Sequence, residues 1–198
     1  YHTASNLTGG GGVYCVGGIV ENCQIVKNRL EGFKFARYTE GSHRYESTGN
    51  IYGKGAGLSI SGGNIINCVI AQNVAGYDPE LNPNPDGTSL TNVLGSAAFV
   101  QSESNFYSST IVGNTGGWAE ANRPIIPGIW DESLASGDGS SFYNCIIVGN
   151  YGYGNTKENF MQIGKGLNQA PKNLEYSYFS LVKFTDNTQT PASSALET

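Results

Sequence analysis

Residues Gly55–Asn73 read GAGLSISGGNIINCVIAQN. Leu58 and Ile60 alternate with Ser59 and Ser61, the period of a strand that buries one face. Gly62-Gly63 predicts a turn, Ile65-Ile66 a second short strand, Asn67 a corner, and Cys68–Ala71 a third strand that closes at Asn73. The pattern recurs on both sides. Gly9–Asn28 reads GGGGVYCVGGIVENCQIVKN and Gly95–Asn114 reads GSAAFVQSESNFYSSTIVGN, while Gly139–Asn150, GSSFYNCIIVGN, repeats the second half. The closing Asn falls at 28, 73, 114 and 150, offsets of 45, 41 and 36 residues. Those offsets superpose Cys23, Cys68, Ser109 and Cys145, then Ile25, Ile70, Ile111 and Ile147, then Val20, Ile65, Phe106 and Phe142. Self-similarity at such a period means stacked copies, none of which buries its apolar face alone.

Three strands and three turns per copy, with no helical periodicity, predict an all-β fold. The expected architecture is a right-handed parallel β-helix of about four or five coils, with rungs about 4.8 Å apart. Unrelated hairpins of a sandwich would not keep one Asn/Cys/Ile/Asn register. Equivalent residues then lie above one another as ladders. Asn22, Asn67, Ser108 and Asn144 form one predicted corner ladder, with buried amide partners; Asn28, Asn73, Asn114 and Asn150 form a second. Ile70 and Ile111 fall at the centre of the core, with Cys68 and Phe106 on adjoining walls.

The rung pattern G-G-G-[IV]-Y … N-C-x-I-x-x-N resembles the parallel β-helix repeats of large bacterial surface proteins, in the broad pectate-lyase-like superfamily. Asn144–Asn150 (NCIIVGN), followed by Tyr176–Val182 (YSYFSLV), is similar to the closing coils of such domains in secreted Bacteroidetes-type proteins. The resemblance implies a secreted or cell-surface location and ligand contact beside the first strand of each coil. It implies no single activity, because this superfold carries many.

The 198 residues amount to one domain, 1–198. Glycine, at 28 residues, has about twice its usual share and marks rung starts and corners. A net charge of −5 argues against a duplex nucleic acid partner, which needs a basic face. No apolar run reaches the roughly 18 residues of a membrane span. Tyr1 opens no charged-then-apolar signal segment, so a mature or excised chain is expected. Residues 1–8 (YHTASNLT) and 188–198 (TQTPASSALET) are short and polar, and hold no amphipathic helix to cover an open strand edge. The expectation is a portion of a longer protein, its ends covered by flanking coils or by another chain.

Cys23, Cys68 and Cys145 share one inward column, and Cys15 falls where Ile60 sits one copy later. In-register parallel side chains rarely reach the near-perpendicular S–S torsion, so four reduced, buried thiols are expected. No C-x2-C pair or nearby His completes a zinc site. Asn82–Gly87 (NPNPDG) has the N-x-N-x-D-G spacing of a calcium loop, but two prolines interrupt it and Val93 stands where the closing Glu belongs. It is read as a turn. No cofactor is expected, with calcium at this loop as the alternative reading.

Three insertions follow the closing Asn: Arg29–Lys54, Val74–Leu94 and Thr115–Pro127. Leaving from one corner of a repeat, they emerge along one flank, where function tends to sit. The first alternates aromatic and basic residues. Lys34, Arg37, Tyr38, His43 and Arg44 suit stacking on sugar rings and pairing with carboxylates or sulfates. Trp118 in the third insertion and Trp130 on the next first strand are candidate sugar platforms, or pack beneath their own loops.

Acid–base cleavage of a polysaccharide needs two titratable groups converging on one bond. The outward first-strand positions are expected to be Tyr14, Val16, Ser59, Ser61, Val100 and Ser102, none titratable near neutrality. Asp131 and Glu132 are the adjacent carboxylates of such a strand, and neighbours on a strand face opposite ways. The first functional expectation is therefore a non-catalytic binding or structural module contacting glycans or a partner surface. The second is a polysaccharide lyase or glycoside hydrolase acting on an acidic polysaccharide. It would use Asp131 or Glu132 as base, with Arg37, Arg44 or Lys34 neutralising the sugar.

Overall fold

The computed structural model describes residues 10–30, 34–39, 44–50, 53–75, 93–116, 128–135, 137, 139–152, 162–164 and 174–179. These residues are all-β and mostly in parallel sheets, with a 3-10 turn at Glu132–Ala135 and no α-helix among them. Copy pairs with copy in parallel. Along the first wall Val13–Val16 lies against the start of Leu58–Ile66, with Val13 opposite Leu58 and Cys15 opposite Ile60. Ala98–Tyr107, Ile129–Asp131 and Ile163–Gly164 follow. A middle wall runs through Ile19–Glu21, residues 64–66, residues 105–107, Ser141–Tyr143 and Leu174–Glu175. The third wall stacks Gln24–Val26, Val69–Ala71, Thr110–Val112, Ile146–Val148 and Tyr178–Phe179.

Two features depart from the expected pattern. The first is a fourth, short wall made of the two residues after each closing Asn: Arg29–Leu30, Val74–Ala75, Thr115–Gly116 and Tyr151–Gly152. Gly53–Lys54 and Val93–Leu94 also pair just before their first strands. Two-residue strands are too short to show a period in sequence. The second departure is the register of the third copy. Ala98, Phe99 and Val100 pair with Leu58, Ser59 and Ile60, but Ser102 pairs with Ser61, so Gln101 is the extra residue of a β-bulge. Counting back from the closing Asn places Val100 outward. In the fold it is buried in the core, and Phe99 takes the outward position. A slip of one residue exchanges the two faces of a strand.

The core is the set of inward columns. Ile60 and Val100 continue Cys15; Ile65, Phe106 and Phe142 continue Val20, with the two Phe rings stacked at 4.8 Å. Ile25, Ile70, Ile111 and Ile147 are all buried, as the repeat requires. Corners turn through left-handed backbone at Asn22, Asn67, Ser108, Asn144 and Tyr176, and again at Lys27, Gln72, Gly113 and Gly149. Asn tolerates that region better than most side chains. At the first corner Gly63 has φ +116°, and a Cβ there would stand 2.6 Å from the carbonyl oxygen of Gly18, so only glycine fits.

The two Asn ladders differ in burial. Asn67 Nδ2 donates to Asn22 Oδ1 at 2.7 Å on the surface, so the expected burial of that ladder does not hold. The closing column is the buried one. Asn73 Nδ2 donates to Asn114 Oδ1 (2.8 Å) and to the Ile25 carbonyl (2.9 Å), while the Asn73 main-chain N–H donates to the same Oδ1 (3.0 Å). Asn114 repeats this set toward Asn150 and Ile70. Asn150 repeats it toward Gln162 Oε1, and Gln162 Nε2 returns to the Asn150 carbonyl.

The four cysteines are free. Cys68 and Cys145 are buried as expected; Cys15 is half-buried and Cys23 exposed, because both belong to the outermost described rung, which is covered on one side only. Burial raises the thiol pKa of Cys68, with the nearby Cys23 thiol adding to the effect, and burial likewise raises that of Cys145.

Candidate functional site: the outer face of the first wall

The parallel register sets Tyr14, Ser59, Phe99 and Trp130 side by side along the outer face of the first wall. Phe99 is only 1% exposed although it faces outward, and the ammonium of Lys54 stands 4.7 Å from its ring centroid. That is cation–π distance. Trp130 is partly exposed, and its indole Nε1 donates to Glu132 Oε1 at 3.0 Å. This contact fixes the ring plane through the next residue but one. Further along the same strands lies a polar stripe, where Ser61 and Ser102 hydroxyls meet at 3.3 Å and Asn105 Nδ2 donates to Asn64 Oδ1 at 3.0 Å. Tyr107 and Tyr143 stack at 5.2 Å on the outer side of the middle wall.

Asp131 takes the opposite direction. It continues the inward column of Cys15, Ile60 and Val100, and it is 0% exposed. Its Oδ1 accepts from the Ser133 N–H (3.0 Å) and hydroxyl, and its Oδ2 from the Ser140 N–H (2.7 Å). The carboxylate thus caps the Glu132–Ala135 turn and ties down the return of the loop at Ser140. Both oxygens are engaged inside the fold. Glu132 begins the turn on the other side, as the alternation of neighbouring residues predicts. Leu134, nearly fully buried, packs the loop down.

Among the other expected ligand residues, Lys34, Arg37, Tyr38 and Arg44 belong to an antiparallel hairpin formed by Lys34–Thr39 and Arg44–Asn50. The insertion read as an alternating loop is a paired ribbon. Its register sets Arg37 opposite Glu46, Tyr38 opposite Tyr45 and Thr39 opposite Arg44. His43, Trp118 and the NPNPDG segment lie outside the described residues.

Sequence reasoning missed Lys54 and Phe99. A signal was available: Gly55–Asn73 spans 19 residues and Gly95–Asn114 spans 20, so counting from the glycine rather than the Asn aligns Phe99 with Ser59. Among the described residues no group of three or more His, Cys, Asp or Glu is arranged to hold a metal ion. No helix among them is long and apolar enough to cross a membrane. No protein-family model, curated protein or solved structure matches this chain.

Proposed function

We propose that the parallel stack closes as a right-handed β-helix and serves as a non-catalytic module of a secreted or surface-exposed bacterial protein, contacting glycans along its first wall. The right-handed sense rests on the strong preference of parallel crossover connections. The observation that carries the binding reading is Trp130: a partly open indole, held in plane by Glu132, next to a cation-capped Phe99. An amphipathic ring fixed in this way suits stacking on a sugar face, and the adjacent ammonium suits an acidic sugar. The hairpin residues Lys34, Arg37, Tyr38 and Arg44, together with His43 and Trp118, extend the same reading as further contacts. With Asp131 turned inward, the outward carboxylate nearest Trp130 is Glu132, at the start of the following turn, and Glu103 is exposed on the neighbouring strand. Cleavage would need a second group to converge on the same bond.

The test is calorimetric titration against a panel of acidic and neutral polysaccharides, with parallel measurement of reducing and unsaturated ends. Binding to at least one glycan is expected, with Trp130→Ala weakening it roughly tenfold or more, as for a central aromatic anchor. The blank level of released ends should persist throughout. Absence of binding across the panel, or turnover that disappears in Glu132→Gln, overturns the proposal.

A further inference from the structure

The outer face of the third wall carries no charge on its interior rungs. Residues 66–73, 107–114 and 143–150 hold none of the chain's 11 Lys and Arg or 16 Asp and Glu. The register sets Val69, Thr110 and Ile146 in one outward column and Ala71, Val112 and Val148 in the next. No bulge interrupts these strands, unlike the first wall at Gln101, so the face is flat. Its apolar side chains are open to solvent: Ile146 is 47% exposed and Val69 37%. A contiguous exposed apolar strip marks a contact surface.

Both margins of the strip fit that reading. Along one side runs the corner row of Asn67, Ser108 and Asn144, all exposed. Asn144 Nδ2 donates to Ser108 Oγ at 3.2 Å, and Asn67 Nδ2 donates to Asn22 Oδ1. Among the described residues nothing joins Asn67 to Ser108. An acceptor, Asn67 Oδ1, and a donor, the Ser108 hydroxyl, therefore stand on adjacent rungs without a partner among those residues. On the other side the corner is bare. A Cβ at Gly113 or Gly149 would meet nothing within 4 Å, so these positions stand clear of the fold and leave the margin low. A rigid body can lie across it.

Area and period select the occupant. Two rung spacings by the five residue steps from Asn67 to Gln72 span roughly 10 Å by 17 Å of backbone, about 300 Å² at most with the side chains. A second copy packed here would bury far less than the roughly 800 Å² per partner of a stable dimer. An acidic ligand would find no cation on these rungs. What the face repeats, about every 4.8 Å, is one outward aliphatic or Thr side chain beside one amide or hydroxyl. A ligand with an apolar face and a hydroxyl edge, recurring along its length, matches that pattern.

We propose that this face binds an extended neutral polysaccharide lying along the stack. The C–H faces of its rings rest on Val69, Thr110 and Ile146, and its hydroxyls meet Asn67, Ser108 and Asn144. Solenoids offer extended surfaces of this kind. The proposal shares no residue with the first-wall reading and stands without it.

The test is co-sedimentation of the full chain with microcrystalline cellulose and with chitin, both insoluble and neutral. Depletion from solution is expected with at least one of them. Val69→Lys combined with Ile146→Lys should weaken it about tenfold or more, because each ammonium would be pressed against an uncharged ligand. Trp130→Ala should leave it unchanged. Both lysine positions are open, so the thermal midpoint should stay within about 4 °C. If it falls further, Val69→Thr with Ile146→Thr, which keeps the β-branched shape, replaces the lysine pair, with an expected weakening of about threefold. Depletion by neither polymer, equal depletion of the original and substituted chains, or loss in Trp130→Ala each overturns the proposal. So does a dimer by light scattering that the substitutions abolish, which would assign the face to a second copy.

Discussion

Asn114 has every polar atom of its side chain engaged out of water, with donors to Asn150 Oδ1 and Ile70 O, and acceptors filled by Asn73. Replacing it with the near-isosteric Leu keeps the volume but strands the buried Asn73 main-chain N–H and one Asn73 Nδ2 hydrogen, and leaves the Ile70 carbonyl and Asn150 Oδ1 each one donor short. The expected cost is about 2–4 kcal/mol by denaturant titration, since each stranded buried group costs about 1–3 kcal/mol. Asn67→Ala should cost below about 1 kcal/mol, because water replaces the exposed partner. The thiols give a second residue-scale prediction. Burial holds Cys68 and Cys145 above the ordinary value of 9.0, so both bind protons in the fold over a range where the unfolded chain has lost them. Their contribution is complete below about pH 9 and declines as pH rises from there through the folded values. Cys145→Val should flatten the alkaline loss of stability. A native thiol titration near pH 8 should label Cys23 first, and Cys68 and Cys145 only after denaturation.

At the scale of the strand, what sequence shows best is whatever repeats. The Cys/Ile/Asn half of each copy contains no bulge, so its offsets carry over unchanged into the observed pairing of Ile25, Ile70, Ile111 and Ile147. The first strand of the third copy misleads for a local reason. Gln101 adds one residue ahead of the anchor used for counting, and the error flips Phe99 and Val100 together. Asp131 was equally hidden, since nothing in its letter distinguishes a catalytic carboxylate from one that caps a buried turn. The inward direction emerges only from its pairing with Val100. Deleting Gln101 gives a copy as long as Gly55–Asn73. It should therefore lower stability by less than about 1 kcal/mol, the scale of change at a site without buried contacts. Deleting Val100 instead removes a core side chain. Ile70→Ala, at the centre of the stack, is expected to cost about 2–5 kcal/mol. A loss below about 0.5 kcal/mol in a chemical denaturation curve would contradict the assigned core.

At the scale of the molecule, the described residues separate a packed interior from an outer face that changes from rung to rung. Inward columns are apolar apart from polar groups paired inside the fold, the Asn ladder and the Asp131 carboxylate among them, and Lys54 and Glu132 attach at the margin of one wall. Because each rung touches only its neighbours, damage at one level should stay local. Trp130→Ala is thus expected to change glycan binding while leaving the thermal midpoint within a few degrees, the shift that corresponds to about 1 kcal/mol or less.

Nearly identical rungs separated by unequal insertions also have a mechanical meaning. A chain pulled from its two ends should release one rung at a time, since peeling an outer rung breaks fewer contacts than shearing the whole stack. The rungs are similar in pairing, so the rupture forces should cluster. The lengths released should differ. The repeat offsets of 45, 41 and 36 residues correspond to contour gains of roughly 150, 140 and 120 Å at about 3.4 Å per residue. A single-molecule extension trace would then give the order of unravelling directly from the step sizes, with each insertion acting as a length label for the rung it follows.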